Sequence, residues 1–120
     1  MLKDNHLAIA GGVESLRPVM ERLRDSGVPV EIEVDTLAQL EVVLPLGPDR
    51  ILLDNMSLEE LRRAVEISRG TGIYLEASGG IDSTTVGAVA KTGVQGISAG
   101  ALTHSVRCAD IGLDWVRHGR

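Results

Sequence analysis

Phenylalanine is absent from this chain, and tryptophan, tyrosine and cysteine occur once each. An apolar fraction of 43% still suffices for a core, though an aliphatic one. The lone Cys108 excludes an internal disulfide and suits a reducing compartment. No apolar run nears the ~20 residues that a membrane span needs, and the stretch after Met1 (Lys3, Asp4, Asn5, His6) is too polar for a signal peptide. A net charge of −5 with no basic stripe argues against a nucleic-acid partner. Zinc-ligand spacing, a Walker loop and a nucleophile elbow are all missing. The expectation is a cytoplasmic domain spanning residues 1–120, without a membrane partner.

What the chain has is alternation of short apolar runs with amphipathic ones. Residues 28–34, 50–54, 73–77 and 96–99 read as strands, with a possible remnant at 1–3. Between them lie helical patterns. Leu37, Leu40 and Leu44 recur at helical spacing after the cap signal Asp35-Thr36, until Pro45, Gly47 and Pro48 end the segment. Ser57 and Glu60 form a capping box that opens a helix whose Leu61, Ala64, Val65 and Ser68 share a face. Further helices are expected at 13–24, interrupted by Pro18, at 82–90, capped by Asp82 or Ser83, and at 110–116. Short apolar strands separated by helices indicate α/β architecture with a parallel sheet. Four strands are too few to close an eight-stranded barrel. They suit either a partial, half barrel or an open, doubly wound sheet of flavodoxin-like kind.

Two strand-to-helix handovers are rich in small residues: Ala77-Ser78-Gly79-Gly80-Ile81 and Ser98-Ala99-Gly100-Ala101. Without a Cβ in the way, backbone N–H groups can approach a ligand there. Helix starts add partial positive charge and unsatisfied donors, so such turns suit phosphate. Carboxylates Glu33, Asp54 and Glu76 lie at strand ends, and Glu31 shares a face with Glu33. At the rim of a sheet they can hold ribose hydroxyls or Mg²⁺, or equally serve as ion-paired or solvated groups. Lys3 and His6 read by themselves as a solvated start. His104, four residues past Gly100, either donates to a phosphate or merely begins a helix.

In order and spacing, Lys3-Asp4-Asn5-His6, Glu31-Ile32-Glu33-Val34, Ile51-Leu52-Leu53-Asp54-Asn55-Met56, Leu75-Glu76-Ala77-Ser78-Gly79-Gly80-Ile81 and Gly100-Ala101-Leu102-Thr103-His104-Ser105 resemble the quinolinate phosphoribosyltransferase family. The resemblance runs from Lys3 to about Trp115. A pyrophosphorylase linked to molybdenum transport has a similar skeleton. The resemblance implies phosphoribosyl transfer from phosphoribosyl pyrophosphate (PRPP) to quinolinate in NAD biosynthesis, with Mg²⁺ and no organic cofactor. Matching positions would make Lys3, Glu33 and Asp54 the catalytic set, with Glu33 and Asp54 also meeting the metal that PRPP carries. Ser78, Gly79, Gly80, Gly100 and His104 would hold phosphate.

Members of that family are longer, and their preceding parts supply the cations for the quinolinate carboxylates. The chain is therefore expected to be inactive alone and to need a complementary N-terminal half or a second copy of itself. A half barrel is also expected to expose an apolar inner face. The competing reading is a non-catalytic phosphate-binding or folding module with at most a residual PRPP site.

Overall fold

The computed structural model describes residues 13–100. Lys3, His6, His104, Cys108 and Trp115 lie outside the described residues, as do the strand remnant at 1–3 and the helix at 110–116. Helices and strands alternate: α1 (Val13–Asp25), β1 (Glu31–Val34), α2 (Leu37–Val43), β2 (Arg50–Asp54), α3 (Leu58–Ile67), β3 (Tyr74–Ser78), α4 (Val86–Ala90) and β4 (Gly96–Ile97). A 3₁₀ turn, Leu44–Leu46, extends α2 to the Pro45-Leu46-Gly47 stop. Pro18 lies within α1 without shifting its start.

Both capping signals act as their residues dictate. Thr36 Oγ1 accepts from Gln39 N at 3.2 Å while Gln39 Oε1 accepts from Thr36 N at 3.2 Å. Ser57 and Glu60 exchange the same pair of bonds, at 3.3 and 2.8 Å, and Ser57 Oγ also donates to Glu60 Oε2 at 2.7 Å. The Ser57 hydroxyl, followed by the Ser57 N–H, holds the Glu60 carboxyl below its ordinary range. Each box satisfies backbone donors that the first helical turn leaves orphaned.

All four strands are parallel and follow the order β1-β2-β3-β4. Among the described residues this is an open α/β sheet with the strand sequence of a barrel wall. A flavodoxin-like sheet reverses its order at a switch point, and the described strands do not reverse.

The first three strands alternate buried residues with exposed or half-buried ones, and the register aligns those alternations. Ile32, Val34, Ile51, Leu53, Leu75 and Ala77 form one face and are almost wholly buried. Met20 from α1, Leu40 and Val43 from α2, Leu61 and Ala64 from α3, and Val89 from α4 join them in a single core. Ser68 is buried with the α3 stripe, as its spacing predicts, and Val65 is half-buried.

The opposite face departs from expectation. It carries Glu31, Glu33, Arg50, Asp54, Tyr74, Glu76 and Ser78, with Leu52 the apolar member of its row. The inner face of this wall is therefore polar rather than apolar. The reason is the two-residue period: a strand apolar towards the helices places its intervening residues on the other side, and here those are charged. No helix among the described residues is long and apolar enough to cross a membrane.

Leu53 is 0% exposed at the centre of the core, whereas Val28 is 55% exposed before β1. Leu53→Ala should cost about 2–5 kcal/mol in urea denaturation. Val28→Ala should stay within about 0.5 kcal/mol of the parent.

Candidate functional site

Parallel strands end together, so one rim of the sheet collects their C-terminal residues. There Asp54 is the register partner of Ser78. Glu33 pairs with Leu52, one pleat before Asp54, and lies on the same face. Glu33 and Asp54 are both half-buried, and Asp54 Oδ2 accepts from Asn55 Nδ2 at 2.8 Å.

Asn55 turns the chain away from β2 in the left-handed region, at φ 52°, a conformation asparagine tolerates better than most residues. Its N–H donates to Ser78 O at 2.9 Å, tying the exit of β2 to the end of β3. This contact explains Gly79. A Cβ there would stand 2.3 Å from Asn55 Oδ1 and 2.8 Å from Asn55 N, and φ is +89°. Gly80, at φ +60°, has nothing within 4 Å of the corresponding point. The first glycine is required by packing and the second keeps space open.

That space is a hollow of about 530 Å³. Ser78, Gly79, Gly80 and Ile81 wall it on the β3 side, Ser98 and Gly100 on the β4 side, with Asp82 at the following turn. The N–H groups of Gly79 and Gly80 take no hydrogen-bond partner among the described residues. An anion entering the hollow meets two open backbone donors between two serine hydroxyls.

Asp82 is an unexpected neighbour for an anion. The helix anticipated at 82–90 begins only at Val86, and its N-cap Thr85 makes no side-chain capping bond. Asp82 Oδ1 does accept as a cap would, from Thr84 N at 2.8 Å, Thr84 Oγ1 at 2.7 Å and Thr85 N at 3.0 Å. It closes an irregular turn, Asp82 to Thr85, ahead of the helix. The Thr84 hydroxyl, then the Thr84 and Thr85 N–H groups, lower the Asp82 carboxyl from an ordinary 3.8 to about 2. These N–H donors are therefore spent on a side chain, whereas the Gly79 and Gly80 N–H groups stay open to the hollow.

Along the open face towards the other rim runs an ion-pair ladder. Arg50 Nη1 lies 2.9 Å from Glu76 Oε2 and 3.6 Å from Glu31 Oε2. Its guanidinium carbon sits 4.7 Å from the centre of the Tyr74 ring. Glu76 also accepts a hydrogen bond from Ser98 Oγ.

The structure thus brings Ser78, Gly79, Gly80 and Gly100 into one hollow, and sets Glu33 and Asp54 on adjoining strands of the same face, outside its lining. Lys3 and His104 lie outside the described residues. Arg50, Asn55 and Ser98 were given no site role in the sequence reading, although Ser98 opens the second small-residue turn and Asn55 belongs to a family motif. Arg50 was within reach, because in Arg50-Ile51-Leu52-Leu53-Asp54 it alternates in phase with Asp54. Asn55 and Ser98 gain significance only from contacts across strands.

A family model described as quinolinate phosphoribosyl transferase, C-terminal domain, matches residues 1–114. The chain is similar to the nicotinate-nucleotide pyrophosphorylase [carboxylating] of Mycobacterium leprae, at 44% identity over 95% of this chain and 40% of the relative. It is also similar to the probable enzyme of the same name from Methanocaldococcus jannaschii, at 40% identity over 98% of this chain and 44% of the relative. Among solved structures, nicotinate-nucleotide pyrophosphorylase from Ehrlichia chaffeensis aligns with a TM-score of 0.76 and 41% identity, over 94% of this chain and 40% of that one. The enzyme from Francisella tularensis aligns with a TM-score of 0.76 and 42% identity, over 85% and 36%. The chain thus spans 40% and 44% of the length of these two curated relatives.

The unequal roles of the glycines predict unequal costs. Gly80→Ala should lose about 1–2 kcal/mol through its left-handed backbone alone. Gly79→Ala should lose roughly 3 kcal/mol or more, because the clash with Asn55 adds to the strain. Urea denaturation of both variants checks the order. Asp82 gives a pH dependence. Its carboxyl is lowered in the fold, so its contribution is complete above about 3.8 and is lost as the pH falls through about 2. The melting-temperature gap between the parent and Asp82→Asn should be constant above that window and close within it.

Proposed function

The chain belongs to the quinolinate phosphoribosyl transferase C-terminal domain family, and from that premise we propose that it supplies the PRPP-binding part of a phosphoribosyltransferase acting on quinolinate. The reaction joins the quinolinate ring nitrogen to ribose C1 as the C1–pyrophosphate bond breaks. Loss of CO₂ then leaves nicotinate mononucleotide. The observation that carries this reading is the hollow beside Ser78, Gly79, Gly80 and Gly100, set at the same rim as Asp54.

The roles of the described residues follow from their places, and those of Lys3 and His104 from the family resemblance. The Gly79 and Gly80 N–H groups and the Ser78 hydroxyl hold the phosphate, with Gly100 leaving room on the far side. His104, further along the chain, donates to the same group. Glu33 and Asp54 accept hydrogen bonds from ribose hydroxyls, and their negative charge stabilises the cationic character that develops at C1. Lys3 contacts the substrates as the remaining member of the catalytic set.

The donor set also fits Mg²⁺ of a particular kind. Among the described residues no group of three or more His, Cys, Asp or Glu side chains is placed to hold a metal. Two carboxylates on one face suit an ion held mainly by substrate oxygens and water, as Mg²⁺ usually is. Bound with PRPP, it would neutralise charge on the departing pyrophosphate. Glu33 and Asp54 would be its protein contacts.

Quinolinate carries two carboxylates and needs cations. Arg17, Arg22 and Arg24 lie on α1 and Arg62 and Arg63 on α3, on the helix layer. Arg50 does lie on the open face, but Glu76 and Glu31 already share it. Turnover therefore depends on cations from a complementary N-terminal half or a second copy of the chain. If the site binds PRPP without that complement, the chain alone acts as a binding module.

An amide ¹H–¹⁵N spectrum of the 120-residue chain, titrated with PRPP and Mg²⁺, tests the reading. The expected result is saturable shifts confined to Gly79, Gly80, Gly100 and the surroundings of Glu33 and Asp54. A dispersed spectrum that PRPP leaves unmoved would overturn it. Adding the preceding half of a family member should then yield nicotinate mononucleotide from a mixture in which neither piece is active.

A further inference from the structure

Glu76 has no task in the reading above, yet each of its carboxylate oxygens has a partner. One carboxylate oxygen receives Arg50 Nη1 at 2.9 Å and the other receives the Ser98 hydroxyl. Its side chain is only 15% exposed, whereas that of Arg50 is 45% exposed. Arg50 is steadied in turn by Glu31 at 3.6 Å and by the Tyr74 ring at 4.7 Å. The contact with Ser98 is the point at which this ladder reaches the hollow, because Ser98 is part of its lining.

The direction of that hydrogen bond decides what Ser98 can do. A carboxylate paired with arginine only accepts, so the serine proton is committed to Glu76. What the hydroxyl presents to the hollow is lone pairs. A fully ionised phosphate oxygen has no proton to give to them, whereas a hydroxyl on the ligand has.

We propose that Ser98 is a specificity-determining residue of the hollow, held by Glu76 as a positioning residue in an acceptor-only state that favours phosphate esters bearing a hydroxyl group over phosphate esters without one. This deepens the phosphate-site reading and rests on it. The backbone donors of Gly79 and Gly80 grip the phosphate in either kind of ligand. Ser98 adds a bond only where a neighbouring hydroxyl supplies the proton.

Substituting Glu76 gives the inference a distinctive signature. In Glu76→Gln, an amide that turns its oxygen to Arg50 turns its NH₂ to Ser98. The hydrogen bond then runs the other way and frees the serine proton for a phosphate oxygen. Ser98→Ala removes both possibilities, and Ser98→Thr keeps the hydroxyl.

The test is the ratio of dissociation constants for ribose 5-phosphate and methyl phosphate at about pH 8, where both phosphates are proton-free dianions, taken from amide shifts of the 120-residue chain. The parent and Ser98→Thr should prefer ribose 5-phosphate by about fivefold beyond Ser98→Ala, as expected of one net hydrogen bond. Glu76→Gln should lose that preference or reverse it. The double variant should match Ser98→Ala, because Glu76 acts through Ser98. Melting curves report any loss of folding separately, and a merely structural Glu76 would shift those curves without moving the ratio. Binding with the same ratio in the parent and Ser98→Ala overturns this inference and leaves the phosphate site standing. So do effects that multiply in the double variant. Failure of the parent to bind either probe overturns both.

Discussion

Everything at the rim depends on the parallel register that sets Leu53 beside Ala77 and Asp54 beside Ser78. The period of a strand is two residues, so a slip of one would exchange the faces. Ile51, Leu53, Leu75 and Ala77 would leave the helices, and Arg50, Asp54 and Glu76 would be driven into the core. The penalty for burying those charges locks the alignment as firmly as the apolar contacts do. Packing on one side thus places the chemistry on the other. The helices need no contact with a ligand to determine where Asp54 and Ser78 meet.

The open face then solves a separate problem. Carboxylates at positions 31, 33 and 76 crowd a small area, and Arg50 lies among them. Joining Glu31 and Glu76 through one guanidinium lowers their mutual repulsion, while Glu33 and Asp54 lie nearer the rim. Partly exposed ion pairs of this sort contribute little to stability individually. Their larger effect is geometric, since a guanidinium packed on Tyr74 holds the Glu76 side chain in one orientation. Residues at the two ends of the strands are in this way connected through side chains rather than through the backbone.

Most of the architecture could be read from residue order. Thr36 with Gln39 and Ser57 with Glu60 are local signals, and local signals survive in any tertiary context. The strands observed at 31–34, 50–54 and 74–78 were visible in the sequence as the short apolar runs 28–34, 50–54 and 73–77. The polar character of the inner face was present in the same letters but was lost to an analogy with barrels. Reading Arg50, Leu52 and Asp54 as one stripe would have revealed it. The start of α4 was misplaced because Asp82 has the bonding habit of an N-cap but exercises it on a turn. The Asn55–Gly79 contact was out of reach of any local rule. It joins residues more than twenty positions apart, and only the pairing of β2 with β3 brings them together.

Tyr74 has a consequence of a different sort. It is the sole tyrosine of the chain, its ring lies beneath Arg50, and its hydroxyl donates to Gln95 O at 3.1 Å. It stands at the first residue of β3, and the hollow opens beyond the last, roughly 13 Å away along the strand. Its ring proton resonances, those of a single tyrosine, therefore serve as a spectroscopic marker of the far end of the sheet. A ligand held by the glycine turn would leave that marker quiet unless the disturbance travelled the length of β3.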